Sequence, residues 1–160
     1  MFGLRRLLHR RTIDKQAAQQ LRGLGYSQAQ ADYVISKVRG LYRKAQHTDA
    51  SDAVRATPAF YAAGLDWSGT RRSLHATAVL AYATGGDYEC IAQILTRMAC
   101  LGRVTVQDFT CLMPWGIPLW LLKDEPDGTH IAFRERVKRG EVTYEETINA
   151  ILRKSRSLEV

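Results

Sequence analysis

Apolar residues at Ala31, Val34, Ile35, Val38, Leu41, Tyr42 and Ala45 recur at three- and four-residue steps, the spacing that gathers side chains on one side of an α-helix. Ser27 stands just before this run, with Gln30 three positions on. A helix over 27–46 therefore opens with a capping box, in which hydroxyl and amide each satisfy a free backbone donor. Arg39 and Arg43 fall on one flank of the apolar stripe and Lys37 and Lys44 on the other. The pattern predicts a helix that packs by its stripe and shows positive charge around it.

Upstream, Phe2, Leu4, Leu7 and Leu8 alternate with Arg5, Arg6, Arg10 and Arg11, the makings of a short basic amphipathic helix over 1–11, free to move because it is terminal. Thr12 or Asp14 is the expected cap of a second helix that ends near Gly23 to Gly25, glycine being the residue that accepts the left-handed cap geometry. After a polar break from His47 to Asp52, a helix is expected over 53–65, with Pro58 in its first turn or at a kink. Thr70 then caps a helix running to Thr84, so apolar on all sides (Leu74, Ala76, Ala78, Val79, Leu80, Ala81, Tyr82, Ala83) that it reads as the buried centre, with His75 a hydrogen-bonded core histidine.

Gly85 and Gly86 end that helix, and Asp87 caps the next, whose Ile91, Ile94, Leu95 and Met98 face inward until Gly102. The two are expected to form a tight antiparallel hairpin. Thr105 starts a short helix before Met113 to Trp120, where Pro114, Gly116 and Pro118 forbid regular structure. Trp115 and Trp120 there either plug a corner of the core or, if exposed, mark an interaction patch. A charged helix from Thr129 stops at Gly140, and Thr143 with Glu146 forms a capping box for a last helix that turns Tyr144, Ile148, Ile151 and Leu152 inward. No segment keeps a strand's apolar/polar alternation over five residues. The fold class is all-α, a compact single-domain bundle of about seven to nine helices over 1–160.

Charge changes this picture more than composition does. Residues 1–47 hold ten Lys/Arg against two Asp, net +8, while the remaining residues hold thirteen Lys/Arg against fourteen Asp/Glu, net −1. The surplus belongs to the first third, and Arg5, Arg6, Arg10, Arg11, Arg22, Lys37, Arg39, Arg43 and Lys44 form the candidate surface for an anionic partner. Their ordinary reading is a solvated face. Arginine outnumbers lysine, which suits two-pronged contacts to phosphate.

Other chemistry is sparse. Cys90, Cys100 and Cys111 cannot all pair and match no zinc spacing, so free thiols in a reducing, cytoplasmic setting are expected, with Cys90 and Cys100 acting as small buried apolar residues. No phosphate-binding glycine loop, dinucleotide fingerprint or hydrolase motif is present, and no cofactor, metal or catalytic residue is expected. The longest apolar run, Phe109 to Leu122, is broken by two prolines and a glycine and falls short of the ~20 residues of a membrane helix. Thr12 to Gln20 after the basic start is polar, unlike a secretion signal.

Two helical turns resemble known families. Leu21-Arg22-Gly23-Leu24-Gly25-Tyr26-Ser27 followed by Ala29-Gln30-Ala31 resembles the Leu/Met-Gly-Phe/Tyr turn of ubiquitin-associated-like small helical domains, a resemblance that implies a protein partner. Tyr82, Gly86, Tyr88, Leu95 and Met98 are similar to one tetratricopeptide-type hairpin, with Val79 at that family's small-residue position and Arg103 at its closing proline. The function expected is binding rather than catalysis: a nucleic-acid-associated accessory protein first, a helical adaptor for an acidic protein as the alternative, an enzyme third, with peripheral membrane contact by residues 1–11 the lesser use of the basic end.

Overall fold

A computed structural model of the chain describes residues 2–43, 48–112 and 130–155, with side chains described over 8–43, 48–112 and 131–153. The described chain is all-α. Eight helices follow in order: α1 (Phe2–Gly23), α2 (Gln28–Tyr42), α3 (Ala50–Ala62), α4 (Trp67–Thr84), α5 (Tyr88–Leu101), α6 (Val106–Leu112), α7 (His130–Lys138) and α8 (Tyr144–Ser155). Among the described residues, no helix is long and apolar enough to cross a membrane. Contacts gather into two compact units, Met1–Arg71 and Arg72–Val160.

In the first unit α1, α2 and α3 pack pairwise on one another. Ile13, Ala17 and Leu21 of α1, four residues apart, join Ala31, Val34, Ile35 and Val38 of α2 and Ala53, Val54 and Phe60 of α3 in the core. The expected break after residue 11 does not occur. α1 is continuous, and Thr12 sits inside it with its hydroxyl donating to the Leu8 carbonyl at 3.0 Å, so neither Thr12 nor Asp14 is a cap. Gly25 ends the turn that follows at φ +95°, a conformation that costs glycine little because it has no Cβ.

The capping box of α2 forms as read: Gln30 N donates to Ser27 Oγ at 3.3 Å, and Ser27 N to Gln30 Oε1 at 2.8 Å. Leu41, placed in the apolar stripe by its spacing, is instead 48% exposed, because the stripe's centre runs through Val34, Val38 and Tyr42 and Leu41 lies at its rim. Ala45 lies outside the described residues. α3 starts three residues before the expected position, because Asp49 caps it through a 2.8 Å bond from Ser51 N. The polar stretch that looked like a break is thus partly the helix's first turn. Pro58 lies inside α3, past the first turn.

At the start of α4 the cap is Asp66, whose Oδ1 accepts from Gly69 N at 2.7 Å and whose carbonyl accepts from Thr70 N at 2.9 Å. Thr70, expected as that cap, is buried one turn inside. The second unit then buries Leu74, Ala76, Ala78, Val79 and Leu80 of α4, as the all-round apolar pattern implied. Two residues of that helix depart from expectation. His75 is exposed rather than in the core, and Tyr82 is 46% exposed; both fall on the strip of α4 left uncovered.

Asp87 caps α5 by accepting from Cys90 N at 2.8 Å, and Gly102 ends it at φ +66°. By backbone approach α5 lies closest to α8 and α6 rather than forming a tight hairpin with α4, which it meets through the Tyr88 hydroxyl on the Leu74 carbonyl at 3.2 Å. Cys90, Cys100 and Cys111 are all exposed, not buried; the inward stripe of α5 is filled by Ile91, Leu95 and Met98.

An isolated antiparallel bridge at Arg103 and Thr143 carries the chain from α5 past the start of α8, through Val104 N to Val142 O at 2.9 Å and Tyr144 N to Gly102 O at 3.0 Å. The expected box at α8 is half formed. Glu146 N donates to Thr143 Oγ1 at 3.1 Å, but the Glu146 carboxylate accepts from Arg136 instead of the cap backbone. Met113 to Trp120, with Trp115 and Trp120, lies outside the described residues.

Candidate functional site

The described basic residues of α2 and its C-terminal end sort onto two flanks of that helix, Arg39 and Arg43 on one and Lys37 on the other. On one flank a groove of about 660 Å³ runs between α1 and α2, lined by Asp14, Lys15, Gln19 and Arg22 of α1 and Gln28, Asp32, Ser36 and Arg39 of α2. Lys15 and Arg22 are seven residues apart, two helical turns, and so project from the same side of α1. Both are exposed and form no ion pair among the described residues.

Arg39 is the exception on this flank. Its Nε and Nη2 grip the Asp14 carboxylate at 2.9 and 2.6 Å, and its side chain is only 20% exposed. This fork-to-carboxylate pairing ties α1 to α2 and neutralises the charge, so Arg39 is a structural cation first. Its remaining Nη1 is buried and makes no hydrogen bond. Asp32 accepts from the Gln28 amide at 2.9 Å. With Arg39 and Asp14 cancelling, the groove's positive character comes from Lys15 and Arg22, with the exposed Arg43 one turn beyond Arg39 on the same flank.

Two other cations of the unit, Arg10 and Arg39, act on a neighbouring carboxylate. Asp49, at the start of α3, is held below the ordinary carboxylate value, first by the Ser51 backbone N–H and further by the charges of Arg10 and Arg39, against the opposing effect of partial burial.

On the other flank Lys37 stands apart from the groove. Its ammonium lies over the Tyr33 ring, 5.0 Å from the centroid, and over the Trp67 ring at 5.9 Å. Tyr33 is 61% exposed, and Leu41, one turn beyond Lys37, is also exposed.

Of the residues singled out in the sequence, Arg10, Arg11, Arg22, Lys37 and Arg43 are exposed cations. Arg22 and Arg39 share the groove and Lys37 does not. The side chains of Arg5 and Arg6, and Lys44 altogether, lie outside the described residues. Sequence reading missed Lys15 as a groove residue; the helix expected from Thr12 or Asp14 to Gly23 already held it two turns from Arg22, but the groove exists only once α2 packs against α1. It also missed Tyr33 and Trp67, and the second had no local signal, because it reaches Lys37 from a different helix.

Comparison with family models, with curated proteins and with solved structures returns no match.

Proposed function

We propose that the first unit binds nucleic acid through the exposed cations of α1 and α2. The observation that carries this reading is that Arg10, Arg11, Lys15, Arg22 and Arg43, along α1 and α2, form no ion pair among the described residues. A cation without an internal partner keeps its full attraction for an external anion, and several spread along two helices suit a polymer with repeating charge better than a single small anion. Arginine's planar fork, the type that predominates here, matches two phosphate oxygens at once.

Fluorescence anisotropy with labelled single- and double-stranded DNA and RNA tests the reading, at low and at physiological salt, beside a variant with Lys15, Arg22 and Arg43 changed to Glu. Phosphate neutralisation releases counterions, so affinity should fall with log salt at a slope of about −0.9 per phosphate contacted on a duplex, and the variant should bind far more weakly. Absence of binding at low salt overturns the proposal. Retention of an acidic polypeptide as tightly as nucleic acid, in competition, would favour instead an adaptor that docks an acidic protein.

A further inference from the structure

The face of α2 that turns away from the core is not uniformly polar. Tyr33, Lys37 and Leu41 follow one another at four-residue steps, which places them one above the next along the helix. Tyr33 is 61% exposed and Leu41 48%, while Trp67 at the start of α4 brings a second ring to the Lys37 ammonium. Between this flank and the α1–α2 groove, whose edge is Ser36, the outer surface of α2 carries only Ala29 and Gly40, both exposed, and a Cβ added at Gly40 would meet no atom within 4 Å. No bulky side chain therefore stands between the aromatic flank and the groove side that carries Arg43.

An exposed aromatic ring beside a cation, on a unit with net charge +7 (twelve Lys/Arg against five Asp/Glu over residues 1–71), has the two elements that hold an unpaired nucleotide. The ring offers a π-face on which a base stacks, and the cations bind the backbone phosphates on either side. A duplex can use only the second element, since its bases already stack on one another. Acidic protein segments gain from the charges but have no general need of the ring.

We infer that Tyr33, with Lys37 and Trp67, is a base-stacking platform, and that the first unit accordingly prefers single-stranded nucleic acid, laid across the outer face of α2 with its bases on the aromatic flank and its phosphates toward Lys15, Arg22 and Arg43. This inference rests on the nucleic-acid reading above.

The test compares a labelled dT 15-mer, the matching rU 15-mer and a 15-base-pair DNA duplex, titrated with the full chain and with Tyr33→Ala, Tyr33→Phe and Lys15→Gln/Arg22→Gln variants. Tyr33 is exposed, so its replacement leaves the fold intact, which circular dichroism checks. Tyr33→Ala should weaken single-strand binding about tenfold and leave duplex binding within about twofold, with Tyr33→Phe restoring the wild-type value because the ring is what stacks. The double variant should weaken binding to all three probes and lower the salt slope. Comparing dT with rU decides whether the strand is DNA or RNA.

Equal affinity for single strand and duplex, with Tyr33→Ala changing neither, overturns the stacking platform while leaving the electrostatic reading in place. Failure of every probe to bind at low salt overturns both.

Discussion

Residues 1–71 carry twelve Lys/Arg against five Asp/Glu, net +7, whereas residues 72–160 carry eleven of each. The difference in how the charges are placed is as large as the difference in number. In the second unit Arg72 meets Glu145, Arg97 meets Asp108, Arg136 meets Glu146, Lys138 meets Glu135 and Arg139 meets Glu141. In the first unit the described pairs are Arg39 with Asp14 and Arg55 with Asp52. Among the described residues, five cations of the second unit are paired with carboxylates of the same unit, against two in the first. Charges used within a fold specify how helices meet, while charges left over act on what lies outside it.

The comparison would be broken if the paired charges of the second unit proved dispensable, and Asp108 is where that is most readily seen. It is fully buried in α6, accepts from Thr105 N at 2.9 Å and Thr105 Oγ1 at 2.6 Å, and accepts from Arg97 Nε at 2.6 Å. The same carboxylate thus closes the first turn of α6 and anchors a cation of α5, and it helps to hold Arg97 above the ordinary guanidinium value. Asp108→Ala would leave a backbone donor, a hydroxyl and a guanidinium without their acceptor. A loss of about 3 kcal/mol is expected, the low end of the range for breaking a buried pair because Arg97 is partly solvated. Urea denaturation of the two proteins reads it directly; a change under about 1 kcal/mol would mean that these contacts do not organise the unit.

A smaller effect lies at alkaline pH and separates the units by their tyrosines. Burial pushes the Tyr144 hydroxyl up to about 12, and the group hydrogen-bonds Ser73 Oγ. Burial, with Tyr26 and Asp66 adding to it, pushes Tyr61 of the first unit up to about 12 as well. In both, the folded state favours the neutral phenol. The stability this contributes is complete below the unfolded value of 10.0 and is lost as pH rises from there toward 12. Stability measured from pH 9 to 12 should therefore fall, and Tyr144→Phe should flatten part of that fall while costing about 1 kcal/mol at neutral pH for the lost Ser73 bond. Tyr61→Phe should remove a separate part; an unchanged pH profile in both variants would contradict the assignment.

How much of this was legible in the sequence follows from the range of the interactions involved. Local signals held: the Ser27–Gln30 box, the Asp87 cap, Gly102 as the end of α5 and the buried Leu74 to Leu80 core of α4 all depend on residues within a few positions of one another. Helix starts failed where a carboxylate stood upstream of the expected one. Asp49 starts α3 ahead of Ala53, the expected first residue, and Asp66 caps α4 in place of Thr70, the expected cap, because each carboxylate accepts from a backbone donor of the first turn. Burial failed for His75, Cys90 and Cys100, since periodicity marks which residues share a face and not which face the neighbouring helices cover. In the candidate site the exposed cations were readable from charge alone. The Arg39–Asp14 pair and the approach of Trp67 to Lys37 were not, because each joins residues from different helices and nothing in one stretch of sequence encodes the meeting.

The smallest expected effect on stability is also the sharpest statement of the difference between the units. Lys15, Arg22 and Arg43 are exposed and form no ion pair among the described residues, so changing all three to Gln breaks no described ion pair. Their helices keep their propensity, because Gln, Lys and Arg are nearly equal helix formers. Folding stability should therefore change by no more than about 0.5 kcal/mol, and its sign should be favourable at low ionic strength, because fewer like charges repel within a unit of net +7. The small gain should vanish as salt is raised, since a Debye length of about 10 Å at 0.1 M already screens exposed charges from one another. Denaturation of the wild type and the triple variant at two salt concentrations reads both the size and the sign. Marked destabilisation would show that these cations have partners within the fold, and the surplus on which nucleic-acid binding depends would not exist. Neutrality or slight stabilisation would leave them available to an external anion, as the unpaired face of α1 and α2 requires.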